Sequence, residues 1–372
     1  MTSTEHGTHV PISSRAREER DGKEPTVDFG LLSGFSFACR PDCGLCCYAT
    51  PAVSAEESAR LLQIEPSTPF LEGQGGYSLI ASRPEGGACH FLKANRCRCH
   101  PDRPFPCREY PLTAHVGTRV QVTTCLSCPG VDLSRLALWN RADGAHSPAV
   151  GFQEEIAAIT AETLKHPVGV WIEFNSRRVA KLRMRMQRHE LWSEPDELRA
   201  RLLAELPLPG SDDFPPGSPP TEEEGLATLP LFYEKDRGCV SFYAREEGWA
   251  AFVLRETGGK GDSLGVFAPP DTPPSLTPQA EQLLRGYLAY LVRRDQLLWA
   301  VYYETAHHPD ASLEELAEAF LLEAGTQVMA RAFFRARMNG LTGKRLEVED
   351  LERGIRATDS DLLDLPTYGR VL

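Results

Sequence analysis

Cysteine is the residue type whose number and spacing could do chemistry in this chain. The 372 residues include 11 cysteines. Ten of them lie in one stretch: Cys39, Cys43, Cys46, Cys47, Cys89, Cys97, Cys99, Cys107, Cys125 and Cys128. Only Cys239 lies outside it. Such density demands disulfides or metal. Met1 to Glu24 is polar and charged, with no apolar signal-type run. No stretch approaches the roughly 18 consecutive apolar residues of a membrane span. The chain is therefore expected to be cytoplasmic, where thiols stay reduced and disulfide frameworks are rare. Spacing agrees: Cys46 and Cys47 are adjacent, and Cys43/Cys46 and Cys125/Cys128 are C-x-x-C pairs. Clusters this tight converge thiolates on one point more naturally than they staple distant segments.

Cys43, Cys46 and Cys47 stand at i, i+3 and i+4, so one helical turn would put three sulfurs on one face. Gly44 permits close backbone approach. Ser54-Ala-Glu-Glu57 is a capping box that opens a helix through about Gln63, anchoring the ligand loop. Lys93-Ala-Asn-Arg96 has the make-up of a hairpin turn, and period two places Cys97 and Cys99 on one strand face. Prolines stiffen both sides of Cys107. Cys125-Leu-Ser-Cys128-Pro129 is similar to the end of a bacterial ferredoxin ligand run. From Arg83 to Arg119 there are seven basic and three acidic residues, in a chain of net charge −12. Local cations stabilise thiolates and anionic thiolate–metal centres. All ten clustered cysteines are candidate metal ligands. His90, His100 and His115 are expected at the surface or behind the ligands.

Zinc takes four tetrahedral ligands, which Cys43/Cys46 with Cys125/Cys128 could supply. Adjacent Cys46-Cys47 and the surplus of thiols suit an iron–sulfur cluster better, although thiolate ligation alone is compatible with both metals. Eight cysteines could hold two 4Fe–4S clusters, or one cluster plus one zinc; a 4Fe–4S cluster is the expected cofactor, in part on the resemblance that follows, with zinc the alternative.

The order C-x3-C-x2-C-C, then C-x-F-L-x4-C-x5-R-P-x2-C-R-x-Y-P over about residues 37–112, resembles the YkgJ-type cysteine-cluster family, a zinc- or iron-chelating group. Cys39, Cys43, Cys46, Cys47, Cys89, Cys97 and Cys107 match the motif. Cys99 and His100 depart from it, and Cys125 and Cys128 lie beyond it. One branch, the flagellin lysine N-methylases, is similar in size and in joining a cysteine module to a partly helical region. That resemblance implies an oxygen-sensitive 4Fe–4S cluster, S-adenosylmethionine and a protein substrate. The alternative is a non-enzymatic zinc-binding or redox-sensing protein with structural metal.

The elements that position these residues suggest an α+β protein, a small cysteine-rich module followed by a mainly helical region with a few short strands. Residues 1–28 have the composition of a disordered tail. The module spans 29–130, a helical segment 131–211, and a Pro- and acid-rich linker or exposed loop 212–225. In 226–372, short strands are expected at Leu229–Tyr233, Cys239–Tyr243 and Ala250–Leu254, and helices at roughly 278–306, 312–338 and 346–357. Ser312 begins a second capping box. Thr257-Gly-Gly-Lys-Gly261 lacks P-loop spacing and suits a hairpin tip, and Gly73-Gln-Gly-Gly76 precedes a strand rather than following one. Cys39-x3-Cys43-x2-Cys46 has the spacing of radical S-adenosylmethionine enzymes, without the surrounding strand–helix alternation of a barrel. Arg177 to Arg188 forms a basic helical stripe. The negative total argues against general nucleic-acid binding and against an anionic membrane surface.

Overall fold

A computed structural model describes residues 27–40, 42–48, 51–73, 77–83, 87–140, 149–165, 168–214, 216–224, 229–340 and 345–363. The expected tail lies outside these, apart from Val27 and Asp28, and so does most of Gly73–Gly76. The first part holds β1 (Val27–Asp28), β2 (Ala52–Val53), α1 (Ala55–Ile64), β3 (Phe70–Glu72), β4 (Ser78–Ile80), β5 (Leu92–Lys93), β6 (Arg96–Cys97), α2 (Phe105–Glu109), β7 (Leu112–Val116) and β8 (Val120–Thr124). These short strands form three small sheets, ordered β1-β8-β7, β2-β4-β3 and β5-β6. The capping box at Ser54 is present, with reciprocal hydrogen bonds between Ser54 and Glu57.

Next come α3 (Gln153–Lys165), α4 (Val168–Gln187) and α5 (Pro195–Ala204), the helical segment the sequence implies. A four-stranded antiparallel meander follows: β9 (Leu231–Glu234), β10 (Gly238–Arg245), β11 (Gly248–Leu254) and β12 (Lys260–Phe267). Its fourth strand was not anticipated. β12 carries a register shift against β11 and Gly265 at φ +118°, so its two-residue period is blurred. The glycine-rich 257–261 stretch is the hairpin tip expected, with Gly258 and Gly259 at positive φ. The chain ends in β13 (Ser275–Leu276), α6 (Pro278–Arg293), α7 (Asp295–Glu304), α8 (Leu313–Met338), β14 (Arg345–Leu346) and α9 (Val348–Leu363). Ser312 caps α8 through its box with Glu315.

Two expectations need correction. The single helix over 278–306 is two helices broken at Arg294, whose backbone is extended (φ −70°, ψ 128°). Its guanidinium is buried on Asp359 of α9 (2.8 Å), so tertiary pairing, not local propensity, fixes the break. The segment 212–225 is not a free linker along its described length. Phe214 is buried in the main core, and Glu222 pairs with Lys260. Burying an aromatic side chain outweighs the solvation that surrounding acids favour.

One apolar core runs from Leu31 and Phe35 through Val122 and Leu126 to α6, α8 and α9. Tyr290 of α6 stacks edge-on with Phe35 and Trp139. Its hydroxyl lies 2.7 Å from Thr123 Oγ1 on β8. The end of the cysteine-rich stretch is thus built into the helical region. The meander packs on α8 through Phe242 and Phe334, with ring centroids 4.9 Å apart. Among the described residues no helix is long and apolar enough to cross a membrane.

Candidate metal centre

Four short segments bring thiols to one place. In the first, Gly44 adopts φ +64°, and a side chain there would meet Leu92 at 3.1 Å. The turn then closes as a 3-10 helix over Leu45–Tyr48, with the Cys47 N–H donating to the Gly44 carbonyl (3.0 Å). A 3-10 rather than α turn carries Cys46 and Cys47. In the second segment the Cys89 N–H donates to the Cys47 carbonyl (2.6 Å), stitching the two together. The hairpin β5–β6 follows, with Ala94 and Asn95 at φ 51° and 57°, as a two-residue primed turn requires. Both turn N–H groups donate to the Glu256 carboxylate from the meander tip (3.0 and 2.6 Å). Arg83 adds hydrogen bonds to the Glu256, Leu92 and His90 carbonyls.

The third segment is α2, which carries Cys107. Its first N–H, of Phe105, donates to Glu57 Oε1 of α1 (2.7 Å). The fourth is the turn after β8, in which the Cys128 N–H donates to the Cys125 carbonyl (3.2 Å). α9 grips this turn from behind. The Leu126 N–H donates to Asp359 Oδ2 (2.7 Å), the Ser360 N–H to Ser127 Oγ (2.8 Å), and Arg356 to the carbonyls of Leu126, Cys128 and Val131 (3.1, 2.6 and 2.7 Å).

Nine cysteines line a single cavity of about 80 Å³: Cys39, Cys43, Cys46, Cys47, Cys89, Cys97, Cys99, Cys107 and Cys128. None is in a disulfide. Cys97 and Cys99 have sulfurs 3.6 Å apart, and hydrogen bonds link Cys47 to both Cys46 and Cys97. Cys125 does not line the cavity. It is buried behind the turn, where burial first, then the Asp359 carboxylate, pushes its thiol up to about 12. His100 lines the cavity, His90 pairs with Glu65 (2.9 Å), and His115 is buried beside Trp299.

The electrostatics follow from crowding acids into a partly dry space. Burial holds Cys43 and Cys89 up at about 11. Burial, then the neighbouring Cys46, Cys89 and Cys97, pushes Cys107 well up. Hydrogen bonds from Cys47 and then Cys99 hold Cys97 down, while Cys47, the donor, is pushed up by Cys46 and Cys97. So many thiols cannot all ionise together unless a cation offsets their mutual repulsion. One cation already stands there. Arg103 lines the cavity and favours ionised Cys39, Cys46 and Cys107, and its buried Nε–H has no hydrogen-bond partner among the described residues. All-sulfur donors, shared burial and this orphaned N–H suit a soft metal carrying negative thiolates. The arrangement is not preset: among the described residues no three Cys, His, Asp or Glu groups are already placed to hold a metal ion.

Residues 38–128 match the family model CxxCxxCC, described as "Putative zinc- or iron-chelating domain". This segment is similar to that family's domain. The match reaches Cys128, so it includes the trailing pair that the sequence resemblance left out beyond Leu112. No curated protein and no solved structure matches the chain. The family description makes this a metal-binding module of zinc or iron type. Sequence reasoning missed Cys239, which comes from β10 to within 4.0 Å of the Cys43 carbonyl. It also missed Tyr110 as a cavity wall. Cys239 carries no local signal, because its contact spans 196 residues, whereas Tyr110 stands in the C-R-x-Y-P end of the motif without a role having been read for it.

Proposed function

We propose that the cysteine module holds an iron–sulfur centre in the thiol-lined cavity. The observation that carries this reading is nine thiols around one space, with Cys46 and Cys47 adjacent: this exceeds the four that one tetrahedral ion or one cluster takes, and leaves sulfur for a multi-iron centre and for exchange. The residues that would hold the metal come from that set, with Cys43, Cys46, Cys97, Cys107 and Cys128 from four different segments. Bound there, the cluster would supply redox chemistry or an open iron site. The chain's own residues would supply thiolates, the Arg103 charge and an apolar surround that excludes water. Arg103 would take up the unbalanced negative charge of a thiolate centre.

A second reading, zinc, is favoured by one distance. Four sulfurs about 2.3 Å from a tetrahedral ion stand about 3.8 Å from each other. The Cys97–Cys99 pair at 3.6 Å is close to such an edge. Anaerobic preparation separates the two. A brown protein with iron, sulfide and air-bleached absorption supports the cluster, and a colourless one with stoichiometric zinc supports the second reading. The enzymatic extension, a protein lysine methylase-like reaction with S-adenosylmethionine, rests on the family resemblance. Calorimetry of S-adenosylmethionine on the metal-loaded chain tests it, and absence of binding removes it.

A further inference from the structure

The thiols of the cavity are graded by exposure. Of the eleven cysteines only Cys39 is exposed, yet it lines the same cavity as buried Cys43 and Cys89. Beside it Arg40 is exposed and Arg103 reaches into the cavity, so two cations flank Cys39, with the Glu155 carboxylate acting against them and Glu154 3.9 Å from Arg103. Cys128 is by contrast buried, in the turn that Arg356 and Asp359 hold from behind and that pairs with the chain beside Cys39 through the Ala38 N–H and the Gly130 carbonyl (3.0 Å).

Resting on the metal reading above, we propose that Cys39 is the exchange thiol. Through it metal passes between the cavity and an external carrier that holds the metal by thiolates. A buried ligand can be replaced only by opening packed structure, whereas an incoming donor reaches an exposed one directly. The carrier's chemistry follows from the cavity's own. A site offering only sulfur takes soft metal most readily from a complex that is itself thiolate-ligated. Such complexes are anionic, which suits a rim bearing Arg40 and Arg103. In the transfer step a metal–sulfur bond to Cys39 forms as one to the carrier breaks. The Cys39 proton goes to the departing thiolate, and no electrons change hands.

The test uses the full chain, freed of metal under reducing, oxygen-free conditions, with zinc–glutathione as donor and a chromophoric chelator as acceptor. Ferrous iron replaces zinc where zinc does not load. In Cys39→Ser uptake and release are expected to slow about tenfold, a barrier rise near 1.4 kcal/mol, while equilibrium metal content falls far less than in Cys43→Ser. Cys39→Ala should repeat this, because serine keeps a donor oxygen. Cys43→Ser, altering a buried ligand, is expected to lose metal outright. Wild-type exchange rates in both Cys39 variants overturn the inference, and so does a loss of metal as large as that of Cys43→Ser. A wild-type chain that loads neither metal, and forms no cluster when ferrous iron and sulfide are supplied together, overturns the metal reading and this inference with it, a result distinct from normal loading with Cys39-independent exchange.

Discussion

The two walls of the thiol cavity are built differently. On one side, the turn carrying Cys128 is fixed by a helix from the far end of the chain. Arg356, Asp359 and Ser360 together hold residues 126–131 at five points, four on backbone and one on the Ser127 hydroxyl. The Cys39 to Cys47 segment and the β5–β6 hairpin are held instead by scattered ties: a 3-10 turn, a two-residue strand pair, single backbone bonds from Ala38 to Gly130 and from Cys89 to Cys47, and Arg83 and Glu256 at the hairpin. Rigid and adaptable parts meet around a space where ligand geometry is not yet set. The contrast suggests that metal organises the second wall against the first, as in small metal domains whose binding energy is partly folding energy.

The largest effect should come from the fixed wall. Asp359→Ala removes the acceptor of the Leu126 N–H and leaves Arg294, 2% exposed, as a buried unpaired cation. Breaking such a pair costs about 3–5 kcal/mol, read by chemical denaturation. Arg356→Met strips three carbonyls of their donor. It should cost about 1–3 kcal/mol and weaken metal binding while leaving the hairpin wall folded. If Arg356→Met leaves metal affinity unchanged, the fixed wall is not what positions Cys128.

The pH response should reverse with metal. In the metal-free chain, burial raises Cys43 and Cys89 from the ordinary 9.0 to about 11. The folded state prefers their neutral form, so this stability is full below pH 9 and lost as pH rises towards 11. With metal bound the same sulfurs are thiolates, and protons compete with metal, so stability is lost as pH falls. Thermal unfolding across pH with and without metal reads both slopes, and parallel slopes would contradict the reading. The smallest effect belongs to the adaptable wall. Ala94 holds φ 51° at some cost, so Ala94→Gly should stabilise the hairpin by about 0.5 kcal/mol.

Much of the local architecture was legible in the sequence, because it is written in adjacent residues. The capping boxes at Ser54 and Ser312, the turn at Ala94-Asn95 and the knuckle at Gly44 each depend on neighbours within four positions. The grouping of ten cysteines likewise pointed to a metal site before any fold was known. What could not be read was set by distant partners. Nothing local breaks the helix at Arg294, and nothing local buries Phe214. The C-x-x-C pair shows no sign that Cys128 turns to the cavity while Cys125 turns towards Asp359 and Arg294. That division is decided by α9, more than 200 residues later in the chain.

It also gives the most direct test. The metal content of the full chain, prepared without oxygen, should be compared among wild type, Cys125→Ser and Cys128→Ser. The cavity described above expects wild-type metal in Cys125→Ser and a marked loss in Cys128→Ser. Equal metal in all three, or loss confined to Cys125→Ser, would contradict it.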